Sequence, residues 1–542
     1  MGPPRFSVLT PVYDTPDDVL RATVRSVTRQ TFGDWELCLV DDASPSPRVP
    51  RTLAELAAGD PRIRVVTRAA NGGIVAASND AVAMARGEFL ALLDHDDELH
   101  PDALALVDEA LRARPDADYA YTDEDKIDAQ GRRSGPFYKP DWSPERFRTQ
   151  MYTCHLSVLR ASLVDLVGGF RAEYEGSQDW DLVLRVTERA REVVHVPRVL
   201  YHWRTLPSST AGRGEAAKPY AYEAGTRALQ AHCDRIGFPA RVDHDDEHPG
   251  VYHLRPVLHE HPPVSLVIPT RGTARDVRGE RVCLVEHCVA GIVAASTYPD
   301  YEIVVVADTA TPPGVADRLR ALGGERVRIV DYDLPFNFSD KINTGALAAR
   351  GDHLLMLNDD MEVVTPDWIE RMVMYSAFPG IGAVGARLLF GDGRLQHVGV
   401  VLGHAQPGHL YRGFRGDQGG YFNMVRVAND FTAVTGACLM TPRAAFDEVG
   451  GLSTQFPLNF NDVDYCLKLR SLGLRVVYDP DTVLYHFESA SRSSDVSDWE
   501  FEQFRARWGH HTELDPYDNP NFHPCSPNMV TPIYHADGAV LV

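Results

Sequence analysis

The strongest constraint on the fold of this chain is an internal repeat, in which one order of segments occurs twice. Each copy opens with a short apolar segment interrupted by proline, "FSVLTPVY" from residue 6 and "VSLVIPTR" from residue 264. After a helical stretch comes a second apolar segment that ends in acid, "WELCLVDDAS" from 35 and "YEIVVVADTAT" from 301. A third apolar segment, a helix rich in small residues and a fourth apolar segment follow in both copies. The repeat predicts two similar domains.

Continuous apolar strands that alternate with helices are typical of a parallel sheet covered on both faces. The expected fold class is therefore α/β, with two Rossmann-like, mostly parallel domains in tandem. We place the first domain at residues 1–250, a connector at 251–262 and the second domain at 263–542. In such sheets, ligands bind beyond the carboxyl ends of the strands, which is where the acidic turns of each copy fall.

Two acidic turns of the first half have the chemistry of a nucleotide and metal site. Asp94 and Asp96 follow the apolar run "FLALL" with D-x-D spacing. Mg²⁺ or Mn²⁺ commonly takes one or two carboxylates together with substrate phosphates, so this pair suits a metal–diphosphate complex. Asp41, at the end of the second strand, is placed to accept hydrogen bonds from a base or a ribose; a turn or cap role is the alternative.

The tetrapeptide Asp-His-Asp-Asp of residues 94–97 recurs at residues 243–246, inside "RVDHDDEHPG". The second occurrence lies in a polar connector and leads into a turn, so we expect it to be solvated. A metal site built from His244, Asp246 and His248 is the alternative.

A second acidic frame occurs once in each half, at the start of an amphipathic helix. It reads "QDWDLVLR" with Asp179 and "NDVDYCLKLR" with Asp462. Acids are common at helix starts because of the helix dipole, but the shared frame favours a functional role. A histidine follows at nearly the same separation in both halves, His202 in "VLYHW" and His486 in "VLYHF". We interpret these histidines as metal ligands or phosphate contacts.

Composition narrows the class of protein. The formal charge of −22 argues against non-specific nucleic-acid binding. No apolar run reaches the ~18 residues of a membrane span, and the N-terminus lacks the features of a secretory signal. Without a C-x-x-C pattern, the cysteines are expected to be reduced thiols. We therefore expect a cytoplasmic protein.

The ordered motifs of the first half resemble those of glycosyltransferase family 2, which has the GT-A fold. They are "VLTPVY", "LVDDAS", "NGGIVAASNDA", "LLDHDD", "GGF", "QDWDL" and "YHW". The second half is similar again, with "VIPT", "MLNDDMEV", "VGGL" and "NDVDYCLKLR". The segments "YTDEDKID" and "DPYDNPNF" resemble those of tandem bacterial enzymes that build O-antigens and related surface polysaccharides.

The resemblance implies an inverting transferase that uses a nucleotide-diphosphate sugar and Mg²⁺ or Mn²⁺. The acceptor would be a glycan or a lipid-linked sugar, with peripheral contact at the inner membrane face as an open alternative. The implied roles are catalytic base for Asp179 and Asp462, nucleotide binding for Asp41, Asp94, Asp308 and Asp359, and metal binding for Asp94, Asp96, His202, Asp360 and His486.

The second half departs from the first at Asn358, which stands where the first half has Asp94 and predicts weaker metal binding. Gln178 and Asn461 replace a glutamate that is common in the family. The alternative function is one active transferase domain beside a degenerate glycan-binding domain. A glycoside hydrolase also needs two carboxylates but no cation, so chelation separates the two classes. The Gly-rich, aromatic segment 405–430 is expected to form an acceptor-side lid.

Overall fold

The structure is a computed structural model that describes residues 2–205, 219–403, 406–487, 496–511 and 515–522. The first half contains one mixed sheet in the order β3-β2-β1-β4-β8-β6-β9-β5, and β7 pairs with β6. Its strands are β1 (Phe6–Val12), β2 (Trp35–Asp41), β3 (Ile63–Thr67), β4 (Phe89–Leu92), β5 (Glu98–Leu99), β6 (Ala117–Ile127), β7 (Arg133–Phe137), β8 (Ser157–Arg160) and β9 (Glu192–Arg204). The strands β3, β2, β1 and β4 are parallel neighbours, as are β6 and β9.

The second half repeats this eight-strand order as β16-β15-β12-β17-β24-β19-β25-β18, with β20 paired to β19 and β23 paired to β25. After the connector hairpin of β10 (Ala240–His244) and β11 (Tyr252–Pro256), its strands are β12 (Val264–Thr270), β13 (Ala274–Val277), β14 (Glu280–Cys283), β15 (Tyr301–Asp308), β16 (Val327–Tyr332), β17 (His353–Leu357), β18 (Met361–Val363), β19 (Ile381–Leu389), β20 (Leu395–His397), β21 (Val400–Gly403), β22 (Gln406–His409), β23 (Asn429–Phe431), β24 (Cys438–Pro442) and β25 (Arg475–His486). The predicted class, two tandem α/β domains, is confirmed.

Helices cover the sheets. In the first half they are Asp17–Thr28, Arg48–Gly59, Gly73–Met84, Ala103–Ala113, Pro144–Phe147, Ala161–Val167, Gln178–Thr187 and Pro219–Ile236. In the second half they are Leu284–Ala295, Val315–Gly323, Phe338–Ala348, Trp368–Ser376, Arg443–Glu448, Asn461–Ser471 and Asp498–Trp508. Strands β1, β2 and β12 are buried almost throughout, as expected for strands packed on both faces.

The same hydrogen-bond clamp closes the start of both sheets. The Ser7 hydroxyl donates to Glu36 Oε1 at 2.7 Å, and the backbone N–H of Arg86 donates to the same oxygen at 2.7 Å. Gly87 packs so closely that a Cβ there would lie 2.5 Å from the Ser7 nitrogen. The second half repeats this clamp with Ser265, Glu302, Arg350 and Gly351. The repeat therefore extends from the motifs to the framework that holds the strands.

A buried charge network joins the two halves. Arg475 at the start of β25 donates to Glu145 at 2.5 Å and to Asp430 at 3.0 Å. Glu145 also pairs with Arg148, while Asp430 accepts the hydroxyl proton of Ser143 at 2.7 Å. Glu145 and Asp430 are fully buried. Because these carboxylates lie on opposite halves, the network fixes the halves against each other.

Residues 515–522, near the far end of the chain, return to the first half. The Asn519 side chain donates to Asp123 at 3.0 Å and to the carbonyl of Lys139 at 2.8 Å. Asn521 donates to the carbonyl of Pro197 at 3.0 Å. Asp123 is completely buried, so the first half obtains part of its internal hydrogen bonding from the end of the second.

Candidate functional site

The acids predicted for the first half meet at the carboxyl edge of its sheet. Asp94 and Asp96 follow β4, and Asp179 lies in the first turn of the helix Gln178–Thr187. Burial raises the pKa of Asp94, and the charges of Asp96 and Asp179 raise it further while His155 lowers it. Burial also raises the pKa of Asp179. Three carboxylates therefore share one partly buried electrostatic environment.

The turn that carries Asp94 is tied to β9. Tyr201 donates its hydroxyl proton to Asp97 at 2.5 Å and accepts the backbone N–H of Asp94 at 3.3 Å. The backbone N–H of Arg204 donates to the other Asp97 oxygen at 2.6 Å. Asp97 is almost completely buried. The final aspartate of the tetrapeptide is thus an internal anchor that orients the two before it.

The paired histidines of the two halves both lie at this edge, with different partners. His202 holds Asp125 through Nδ1 at 2.6 Å, which leaves Nε2 as the ligand atom of the ring, as in carboxylate–histidine–metal arrangements. His486 uses Nε2 itself, 3.2 Å from Asp360 Oδ1 and 3.2 Å from the amide of Asn358.

The residues of the second half line a single cleft of about 610 Å³. Those predicted from the sequence that line it are Asn358, Asp359, Asp360, Asp462 and His486. Asp462 accepts the backbone N–H of Gly436 at 2.9 Å, and Asp359 accepts the hydroxyl proton of Thr270 at 2.6 Å. These contacts fix both carboxylates at the cleft wall.

The base of this cleft holds a lysine that sequence reasoning missed. Lys341 is almost fully buried and donates to Asp308 at 2.7 Å and to the carbonyl of Thr270 at 2.9 Å. Arg271 lies 3.5 Å from the second Asp308 oxygen. The sequence feature that could have identified Lys341 is the motif "SDKIN", since the aligned segment of the first half, "VAASN", has no lysine.

Strand register aligns Asp308 with Asp42 rather than with Asp41. Tyr301 pairs with Val264 as Trp35 pairs with Phe6, so the acid in β15 comes one position later than Asp41 does in β2. Asp42 accepts the backbone N–H groups of Gly72 and Gly73, each at 2.9 Å.

Those two amides come from the start of the helix Gly73–Met84, and Arg68 adds an ion pair to Asp42 at 2.7 Å. Asp41 instead accepts the backbone N–H of Ser44 at 3.1 Å. A nucleotide role for Asp41 stays a prediction.

A histidine absent from the predictions also faces the first site. His155 lies 3.0 Å from Glu124 and stacks on Tyr201 with ring centroids 5.3 Å apart. Burial alone would lower the pKa of His155, but Glu124, followed by Asp97 and Asp94, raises it to about 9. His155 is therefore a cation beside the acidic turn at neutral pH. A lone histidine in "TCHLSV" carried no signal of this role.

In the second half, Asp360 and His486 present ligand atoms 3.2 Å apart, which fits a divalent cation that takes few protein ligands. Octahedral Mg²⁺ at about 2.1 Å from its ligands places neighbouring ligand atoms roughly 3 Å apart, close to the spacing between His486 and Asp360. Neither predicted ligand set forms a closed cage: within the described ranges, the one trio with ligand atoms inside 4.8 Å is Glu124, Cys154 and His155. Lys139 already pairs with Glu124 at 3.1 Å there.

Other acids and histidines that the motifs singled out are structural. Asp181 is buried between Arg171 and Arg185, and Asp464 accepts from the indole of Trp508 at 2.9 Å. In the connector, His244 contacts Asp246 at 3.0 Å while His248 contacts Asp245 at 3.0 Å.

The alternative metal site at His244, Asp246 and His248 is thus not assembled. Its two histidines pair with different aspartates, His244 with Asp246 and His248 with Asp245. The second Asp-His-Asp-Asp is a salt-bridged hairpin turn between β10 and β11.

Acidic strand ends around one cleft, on a sheet with this strand order, define an α/β enzyme that binds its ligand at the carboxyl edge. Two family models match in tandem: glycosyl transferase family 2 over residues 7–167, and glycosyltransferase like family 2 over residues 261–510. The chain belongs to glycosyltransferase family 2.

Relatives extend over nearly all of the chain. The uncharacterized protein y4gI of Sinorhizobium fredii is 40% identical over 531 residues, which are 96% of this chain and 57% of that protein. The O-antigen biosynthesis protein RfbC of Myxococcus xanthus is 38% identical over 525 residues, 96% of this chain and 40% of that protein. The chain thus spans about half the length of these relatives. A structure of S. aureus TarS with UDP-GlcNAc is 19% identical, with a TM-score of 0.35, over 42% of this chain and 66% of that one.

Proposed function

We propose that each half is an inverting glycosyltransferase that moves a sugar from a nucleotide-diphosphate donor to an acceptor hydroxyl. The observation that carries this proposal is the second-half cleft, where Asp359, Asp360, Asp462 and His486 lie together at the carboxyl edge. In the first half Asp94 and Asp96 lie at the same edge of the sheet as Asp179. Membership of glycosyltransferase family 2 supports the reaction class.

The proposed base is Asp179 in the first half and Asp462 in the second. Each lies in the first turn of a helix that opens at the cleft. A base opposite the leaving group gives inversion at the anomeric carbon, and general-base assistance contributes roughly 10²–10⁴-fold. Burial raises the pKa of Asp179. A raised pKa makes its ionised carboxylate a stronger base.

A divalent cation, Mg²⁺ or Mn²⁺, would neutralise charge that develops on the departing diphosphate. In the first half Asp94, Asp96 and His202 would hold it. In the second half Asp360 and His486 would hold it, and Asn358 would offer a neutral oxygen where the first half has a carboxylate. Because one negative charge is missing there, we expect weaker cation binding in the second half.

The donor corners of the two halves pair their strand-end acid with different cations, which favours different donors: in the first half Arg68 pairs with Asp42. In the second half Asp308 is neutralised by the ammonium of Lys341. Asn79 and Asn343 accept matching backbone N–H groups, from Phe170 and Leu452, which aligns the two helices. In this alignment Ala77 occupies the position of Lys341. We therefore propose that the halves bind different nucleotide sugars.

The acceptor is proposed to be a growing glycan or a lipid-linked sugar of a surface polysaccharide. The name of RfbC, an O-antigen biosynthesis protein, supports this pathway. Within the described residues, no helix has the length and apolar character to span a bilayer. We place the reaction in the cytoplasm, with peripheral contact at the inner membrane face as an extension of the proposal.

The test is release of nucleoside diphosphate from a panel of nucleotide sugars, with and without Mn²⁺, by the wild type, Asp179→Asn, Asp462→Asn and the double variant. Each single variant should lose transfer at its own site and keep nucleotide binding. Transfer at the wild-type rate by the double variant would exclude both bases. Activity that survives chelation by EDTA would exclude the metal.

A second candidate function is one active domain beside a degenerate glycan-binding domain. The replacement of Asp94 by Asn358 in the second half favours it. In that case Asp462→Asn leaves product length and linkage unchanged, whereas Asp179→Asn abolishes transfer.

A further inference from the structure

One segment of the second half touches both the second-half cleft and the first half. Residues 407–427 form the bridging loop, which has no counterpart in the first sheet. At one end Pro407, His409 and Arg412 line the cleft. At the other end Tyr421 and Phe422 pack against the first half. The loop is therefore a wall of one site and an interface at once.

The contacts with the first half are specific. The Tyr421 hydroxyl donates to the carbonyl of Pro136 at 2.6 Å and accepts the N–H of Tyr138 at 3.1 Å. The Phe422 ring stacks on Phe137, with ring centroids 3.9 Å apart and planes 10° from parallel. An apolar side chain in place of Tyr421 would remove both of these hydrogen bonds to the first-half backbone.

The two ends of the loop are joined through Tyr411, which is almost fully buried. Its hydroxyl accepts the N–H of Tyr421 at 3.0 Å, and it directly precedes Arg412 of the cleft wall. Tyr411 belongs to an apolar core drawn from both halves, and Tyr421 packs against that core. The core residues are Tyr138, Leu395, Val398, Val401, Leu410, Tyr411, Met424, Val425, Phe431, Tyr478 and Phe522.

The loop also carries strained backbone. Tyr411, Phe422 and Asn423 have positive φ angles of 55°, 45° and 62°. Such conformations cost about 1–3 kcal/mol each in non-glycine residues and persist only where surrounding contacts hold them. Gln150 of the first half adds one such contact by donating to the carbonyl of Phe422 at 3.0 Å.

The cleft end of the loop approaches the proposed base. His409 and His397 lie with their Nδ1 atoms 2.9 Å apart, and Nε2 of His397 accepts the N–H of Thr435 at 3.3 Å. The next residue, Gly436, donates its N–H to Asp462. A chain of hydrogen bonds thus runs from the bridging loop to the wall that holds the base, where an acceptor hydroxyl must approach.

We propose that Tyr421 is a positioning residue through which the first half sets the acceptor side of the second-half cleft. The acceptor affinity of the second site then depends on residues 136–138, although none of them lines that cleft. The inference rests on the proposed function for the identity of the acceptor side, and on the contacts above for the coupling.

The test uses full-length Asp179→Asn protein, so that only the second site transfers sugar. Tyr421→Phe in this background should raise the KM for acceptor roughly tenfold, the effect of losing two hydrogen bonds to the first half. The KM for donor should change less than twofold. Tyr298→Phe is the matched control: it removes a 2.7 Å bond to the carbonyl of Pro262, away from the loop, and should leave both constants unchanged.

Hydrogen–deuterium exchange of the same proteins measures the coupling between the first half and the bridging loop without an activity assay. Amides of residues 407–413 should exchange faster in Tyr421→Phe than in Tyr298→Phe. An unchanged acceptor KM, or unchanged exchange of those amides, overturns the proposal. If Asp179→Asn with native Tyr421 transfers no sugar, the two-site function fails, and the exchange experiment alone decides whether the first half holds the loop.

Discussion

The buried network around Arg475 gives a stability prediction that can be worked from the structure. Arg475→Met removes the cation between Glu145 and Asp430, both fully buried and on opposite halves. Breaking a buried ion pair by removing one partner typically costs about 3–5 kcal/mol; here Asp430 loses its cation, while Glu145 keeps Arg148. The free energy of the first unfolding transition in urea should fall by that amount.

A matched control separates burial from ion pairing. Arg21 also bridges two carboxylates, at 2.9 Å from Asp17 and 2.6 Å from Glu55, but all three side chains are partly exposed. Exposed pairs contribute little to stability, because water and salt screen their charges. Arg21→Met should therefore shift the transition little. Equal losses for Arg21→Met and Arg475→Met would refute the argument from burial.

The pH dependence supplies a second check on the same residues. Burial alone would raise the pKa of Glu145, but Arg148 and Arg475 lower it from 4.5 to about 2. A depressed carboxyl pKa stabilises the fold above 4.5, and that stability is lost as the pH falls toward 2. The difference between wild type and Arg475→Met should be largest near neutral pH and should shrink through that window. A difference that grows on acidification would contradict this assignment.

Three further predictions concern the second half. Asn358→Asp should tighten Mn²⁺ binding roughly tenfold by adding a carboxylate, measured by calorimetry; unchanged affinity would remove Asn358 from the ligand set. Lys341→Met should weaken nucleoside diphosphate binding roughly tenfold because Asp308 loses its partner, with Lys341→Arg restoring part of it; equal affinity in all three proteins would exclude a donor role. Asn343→Ala should lower the free energy of unfolding by about 1–3 kcal/mol, since the backbone N–H and carbonyl of Leu452 both lose the Asn343 side chain. An unchanged melting temperature would contradict this.

The repeat made the framework predictable from sequence, since the first four strands of one half and their acidic turns had partners in the other. Site residues at strand ends, such as Asp94 and Asp360, could be predicted because parallel strands bring their carboxyl ends to one edge. The roles of Lys341 and His155 could not be predicted, because their partners Asp308 and Glu124 become their neighbours only when the sheet forms. The interface between the two halves could not be predicted for the same reason.

The return of residues 515–522 to the first half has a consequence for biosynthesis. Asn519 and Asp123 are 396 positions apart, and a ribosome emits the chain from its amino end. While the second half is still being translated, the Asp123 carboxylate lacks its asparagine partners. The first half therefore reaches its final internal hydrogen bonding only after residues 519–521 have been translated, and chain release before that point would leave a nascent domain with an unfinished interior.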